Sequence, residues 1–144
     1  MTTTDEGYAL IDHTADVGVE VWARDFAGLL VHAGEALFSI ITDLSSVRKA
    51  IRTDINLEPG EREEVMRSWL ENLLSQFNRK EMLYSRFTAK ELNERGIKAR
   101  AWGEVFDVRR HPIHTEIKGI TYHQFRVRRD LKAPEWTARI IFDV

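Results

Sequence analysis

The sequence contains no cysteine, and that one absence removes disulfide frameworks, thiolate zinc sites and cysteine nucleophiles together. A cytoplasmic location is the expectation. No apolar run approaches the ~20 residues that a membrane span requires, and Met1-Thr2-Thr3-Thr4-Asp5-Glu6-Gly7 has neither a basic n-region nor an apolar stretch. No membrane segment or export signal is therefore expected. Internal repeats, low-complexity tracts and Pro/Ser-rich linkers are also missing, so a single domain over residues 1–144 is expected. Neither charge dominates: 21 basic residues stand against 23 acidic ones, without the electrostatic footprint of a protein that grips phosphate backbones by itself. Neither GxxxxGK[ST] nor GxGxxG occurs, so a nucleotide-binding fold is not signalled.

What is present is an ordinary globular composition, 43% hydrophobic and 31% charged, with an uneven charge distribution. Residues 1–95 carry 11 basic and 17 acidic side chains, and residues 96–144 carry 10 and 6. The front is acidic and the back basic. Alternation over Tyr8–Ile11 and Val17–Ala23 predicts two short strands joined by the polar segment Asp12-His13-Thr14-Ala15-Asp16. Asp25 is a candidate N-cap for a helix with Phe26, Leu29, Leu30, Ala33, Leu37, Ile40 and Ile41 on one face. Ile51–Leu57 reads as a strand, and Pro59-Gly60 breaks it before a second helix carrying Met66, Trp69, Leu70, Leu73, Leu74 and Phe77 at helical spacing. The remainder is mostly extended: Leu83–Leu92, Ile97–Phe106, Thr115–Thr121, Gln124–Arg128 and Thr137–Phe142. Two amphipathic helices packed on a mostly antiparallel sheet, an α+β layered domain, is the expected architecture.

The segment 12–16 concentrates two carboxylates and an imidazole between apolar strands, hard donors suited to calcium or magnesium. The same residues equally suit a turn organised by side-chain to backbone hydrogen bonds. Asp143 closes an apolar strand, and the α-carboxylate of Val144 would stand beside it, a pair of negative groups best solvated or shared with a cation. A frayed, solvated end accounts for them as well. His32, in the first helix, reads as a packing or surface residue. His111 and His114 flank Pro112-Ile113 without matching a zinc motif. His123 has the best claim among the histidines to a binding role, against a structural one. Arg109-Arg110-His111 and Arg126-Val127-Arg128-Arg129 read as solvated faces or as a docking surface for an acidic protein or RNA. Trp22, Trp69, Trp102 and Trp136 are expected in core or rim, without the basic interleaving of a stacking platform.

Several collinear segments resemble the archease family: Asp12-His13-Thr14-Ala15-Asp16-Val17-Gly18 near the N-terminus, then Ala36-Leu37-Phe38 through Thr42-Asp43. Trp69-Leu70-Glu71-Asn72-Leu73-Leu74, Gly103-Glu104, Thr115 through His123 and the closing Ile141-Phe142-Asp143-Val144 follow in family order over nearly the whole chain. The closing Phe-Asp-Val departs from the commoner Leu-Asp-Ile, and Ser75-Gln76-Phe77-Asn78-Arg79 is more polar than usual. The resemblance implies an α+β fold and a non-catalytic role as activator of an RtcB-type RNA ligase in tRNA splicing or repair. Such a factor promotes guanylylation of the ligase and multiple turnover. It also implies a divalent cation, calcium with magnesium or manganese as substitutes, held by Asp16, Asp143 and Val144. Asp12, Asp43 and Lys118 match further recurrent polar positions. Contact with tRNA or GTP would then come through the ligase. The alternative is a small metal-dependent phosphoester hydrolase using Asp12, Asp16 and Asp143 with His13 or His123 as base. A third reading is an RNA-binding module built on the basic back half.

Overall fold

The computed structural model describes residues 6–11, 16–93 and 96–144. Strands β1 (Gly7–Ile11) and β2 (Val17–Ala23) lead into helix α1 (Phe26–Ile41) and a single 3-10 turn at Leu44–Ser46. Strand β3 (Ile51–Leu57), helix α2 (Arg62–Lys80), β4 (Met82–Glu91) and β5 (Ile97–Val105) follow. The chain closes with β6 (Gly119–Ile120), β7 (Arg126–Arg129) and β8 (Trp136–Asp143). One antiparallel sheet runs β1-β2-β8, with β6 and β7 both paired to the far edge of β8; the other runs β3-β5-β4.

Both helices form where the apolar spacing predicts them. Asp25 caps α1 as expected, its carboxylate accepting the Gly28 N–H at 2.7 Å. Helix α2 has no side-chain cap, but Glu63 and Glu64 in its first turn and Arg79 and Lys80 in its last suit the helix dipole. Leu29, Leu30, Ala33 and Leu37 of α1 are wholly buried, as are Met66, Trp69, Leu70 and Leu73 of α2. The Trp69 indole N–H donates to the Leu30 carbonyl at 2.8 Å, so the one polar atom of that buried ring is satisfied and the two helices are joined. Gly34 brings α1 close to the Phe87 ring of β4, and Phe38 meets Tyr84 and Phe87. The core-facing residues of β2 and β8, among them Val19, Val21, Ile140 and Phe142, join the same apolar cluster.

The last third is less regular than its alternation implies. Of the expected strand Thr115–Thr121, only Gly119–Ile120 joins the sheet. The preceding backbone is used elsewhere: the Thr42 hydroxyl donates to the Pro112 carbonyl at 2.6 Å, and the His114 N–H donates to the Ile41 carbonyl at 2.8 Å. Those bonds fasten the segment to the end of α1. The expected strand at Gln124 begins at Arg126, because Gln124 takes a left-handed φ of 57° in the turn that reverses the chain. Trp69 and Trp136 lie in the core, whereas Trp22 and Trp102 are partly exposed on the outer sheet faces.

Candidate functional site

The strand register assembles an acidic corner. Val17 pairs with Phe142, so the next position outward sets Asp16 across from Asp143. Phe142 is buried in the core, and alternation turns Asp143 the other way, where it is exposed. Asp16 is half-buried. On the opposite edge of β8, Gly119 pairs with Asp143, and the Lys118 N–H donates to the Asp143 carbonyl at 2.7 Å. Val144 packs partly against the core. The segment that delivers Lys118 starts at the end of α1, where His114 Nε2 lies 2.8 Å from Asp43 Oδ1. One short loop thus links Asp43 to Asp143. Asp12 and His13 lie outside the described residues. His123 is exposed in the turn beyond β6, its carbonyl accepting the Thr121 hydroxyl at 3.3 Å.

Two carboxylates brought to one strand end would repel one another, and hard oxygen donors so placed suit a divalent ion. The donor set is compatible with one. Among the described residues no three His, Cys, Asp or Glu side chains cluster as metal ligands. The expected set contains only two such side chains, Asp16 and Asp143, its third donor being an α-carboxylate.

A second polar centre lies where the basic run Arg109-Arg110-His111 suggested a solvated face or a docking surface. Glu104 of β5 is 9% exposed. Its carboxylate accepts the Arg48 N–H at 2.7 Å, two Arg110 guanidinium bonds at 2.5 and 3.1 Å, and a bond from His111 Nε2 at 2.9 Å. The Arg110 hydrogen bonds, opposed by burial and reinforced by Arg48 and His111, hold its pKa down to about 2. Asp107 is also lowered, chiefly by the Arg109 backbone N–H. His111 Nδ1 accepts the Asp107 N–H at 2.8 Å, so the imidazole proton must sit on Nε2, facing Glu104. ¹⁵N-resolved imidazole spectra are expected to show that tautomer for His111; a proton on Nδ1 would contradict this arrangement. Gly103-Glu104 carries the only sequence signal for this centre, because the partners of Glu104 come from two other segments, at Arg48 and at Arg110-His111.

Arg67 supplies a third element that periodicity missed, a cation on the buried side of α2. It is 9% exposed. Its guanidinium donates to the Ile120 and Thr121 carbonyls at 3.0 and 2.9 Å and pairs with Glu71 at 3.1 Å. The Tyr122 ring lies 3.5 Å from it and the Phe125 ring 4.8 Å. The helix thereby grips the turn that follows β6. Arg126 and Arg128 of β7 lie opposite Arg139 and Thr137 of β8, on the face turned away from the helices.

The Archease protein family (MTH1598/TM1083) model matches residues 8–144. Protein archease of Methanopyrus kandleri is 42% identical over 137 residues, covering 93% of this chain and 96% of that one. Protein archease of Pyrococcus furiosus is 29% identical over 92% of this chain and 95% of its own length. The solution structure of Methanobacterium thermoautotrophicum protein 1598 superposes with a TM-score of 0.77 at 28% identity, covering 96% of this chain and 99% of that one. The crystal structure of a Thermotoga maritima archease, described as a possible chaperone, shares the fold with a TM-score of 0.66 at 20% identity, over 93% of this chain and 94% of that one. With the family model spanning nearly the whole chain, this protein belongs to the archease family.

Proposed function

We propose that this chain is a non-catalytic accessory protein of an RtcB-type RNA ligase, acting in the cytoplasm in tRNA splicing or RNA repair. What supports the proposal is the pairing of Val17 with Phe142, beyond which Asp16 and Asp143 are each the next residue in sequence, in a chain of the archease family. Asp16 and Asp143 would supply carboxylate oxygens at one corner, joined by an α-carboxylate where Val144 ends the chain. The loop from His114 to Lys118 holds a lysine backbone against the same strand end. A bound divalent ion, calcium by family resemblance with magnesium or manganese as substitutes, would supply a concentrated positive charge there. The carboxylates of Asp16 and Asp143 would hold such an ion at the strand end. Arg126 and Arg128 lie on an outer sheet face suited to docking an acidic surface, where long-range attraction speeds encounter. At this corner, contact with tRNA or GTP would come through the ligase.

The test is a guanylylation time course with ligase in excess, GTP, and catalytic amounts of this protein. Faster ligase-GMP formation and multiple turnover are expected. Asp16→Ala and Asp143→Ala should weaken calcium binding in calorimetry and reduce activation on the order of tenfold or more, while the fold survives, since both residues lie at strand ends. Unchanged titrations for both variants would remove the cation site. No acceleration, together with phosphoester turnover by the isolated chain, would instead establish the hydrolase.

A residue appended after Val144 converts its α-carboxylate to a neutral amide. A C-terminal tag should therefore impair activation where an N-terminal tag does not; equal activity of the two tagged forms would exclude Val144 from the site.

A further inference from the structure

The face of the three-stranded sheet turned away from the helices is far more basic than the chain as a whole. Ile55, Leu57, Ile97, Ala99 and Ala101 point into the core, so alternation sends the intervening residues outward. The register places them in three cross-strand rows: Arg52–Trp102–Arg86, Asp54–Arg100–Thr88 and Asn56–Lys98–Lys90. Among the described residues these three rows hold five cations and one carboxylate, in a protein whose net charge is −2, and Glu104, next along β5 on this face, is already paired with Arg110. Asp54 is shared between Arg52 at 3.2 Å and Arg100 at 3.6 Å, which leaves Arg86, Lys90 and Lys98 in excess. Trp102 stands in the middle strand with an arginine across from it on either side, and the Arg86 guanidinium lies 4.9 Å from its ring centroid.

In sequence order Trp102 has one arginine close by, Arg100, two positions away. Strand pairing supplies two more: Arg52 and Arg86 lie fifty and sixteen positions from Trp102 and meet it only across β3 and β4.

We infer that this face binds single-stranded RNA, its arginines and lysines pairing with phosphates and Trp102 stacking on a base. Guanidinium forks match phosphate geometry, and an aromatic ring on an open sheet offers a π-face that every base can use. An acidic peptide would satisfy the cations but leave the ring without a stacking partner. The site is separate from the acidic corner of β2 and β8, and binding by the isolated chain is independent of ligase activation.

The experiment titrates the full chain against a fluorescently labelled oligouridylate of about twelve nucleotides, followed by anisotropy and tryptophan emission. Pairing with about three phosphates should weaken binding roughly tenfold to twentyfold between about 50 and about 200 mM salt. Trp102→Ala should lose on the order of tenfold in affinity and most of the emission change, with Trp102→Phe recovering part of the affinity. Arg86→Glu combined with Lys98→Glu, at exposed positions that leave the core intact, should abolish binding. Arg126→Glu with Arg128→Glu, on the other sheet, should leave it within about twofold. No salt-dependent binding, equal loss from the two double variants, or tight binding of a polyglutamate peptide in place of the RNA would overturn the proposal.

Discussion

Glu104→Ala is expected to lower folding stability by about 2–4 kcal/mol, because it strands partners that a single buried carboxylate now satisfies. Arg48 would lose the acceptor of its backbone N–H, Arg110 both guanidinium bonds and His111 the acceptor of its Nε2 proton. Removing one member of a buried ion pair costs about 3–5 kcal/mol, and the lower figure here reflects that the Arg110 side chain remains 33% exposed to screening solvent. The same carboxylate sets an acid limit. Its folded pKa of about 2 lies below the ordinary carboxylate value of 4.5, so its stabilisation is complete above that unfolded value and disappears as pH falls toward the folded one. Urea unfolding at neutral pH should show the full loss for the variant. Between pH 4.5 and 2 the wild type should decline toward the variant while the variant changes less. A loss under about 1 kcal/mol, or parallel acid profiles, would mean the network contributes little beyond surface pairing.

Arg67→Met is expected to cost about 2–4 kcal/mol and to loosen the turn after β6. Methionine retains the apolar stem, so the change isolates the guanidinium. The Ile120 and Thr121 carbonyls lose their donors, at about 1–3 kcal/mol for each group left unsatisfied, and Tyr122 and Phe125 lose the cation between them. The turn continues directly from Lys118 and Gly119, whose backbones meet Asp143. Faster amide exchange at Lys118 and Thr121 should therefore accompany the stability loss. If exchange accelerates uniformly, or those amides stay protected, Arg67 is an ordinary packing residue.

Both helices were legible from their apolar spacing, as was the Asp25 cap, because an amphipathic face and a cap are local properties of consecutive residues. The bounds of β2, β3, β4, β5 and β8 were readable within a residue or so for the same reason. The segment from Thr115 to Gln124 was not, since its backbone bonds go to α1, α2 and β8, and alternation cannot reveal such partners. Sequence reasoning also set aside Arg110 and His111 as a surface run. Their ligand, Glu104, is six and seven positions away, and only the turn at Asp107 brings them back onto β5.

By itself the sequence determined the α+β class, the family and the candidate carboxylates Asp16 and Asp143, because each rests on short patterns whose residues are neighbours in the chain. Tertiary structure alone decided that Val17 meets Phe142, which brings the two carboxylates to one strand end, that Glu104 holds Arg110 and His111 and Arg67 the turn after β6, and that Trp102 lies between Arg52 and Arg86. The reason is geometric: antiparallel pairing joins residues far apart in the chain, and a slip of one position would send the strand side chains among them to the opposite face.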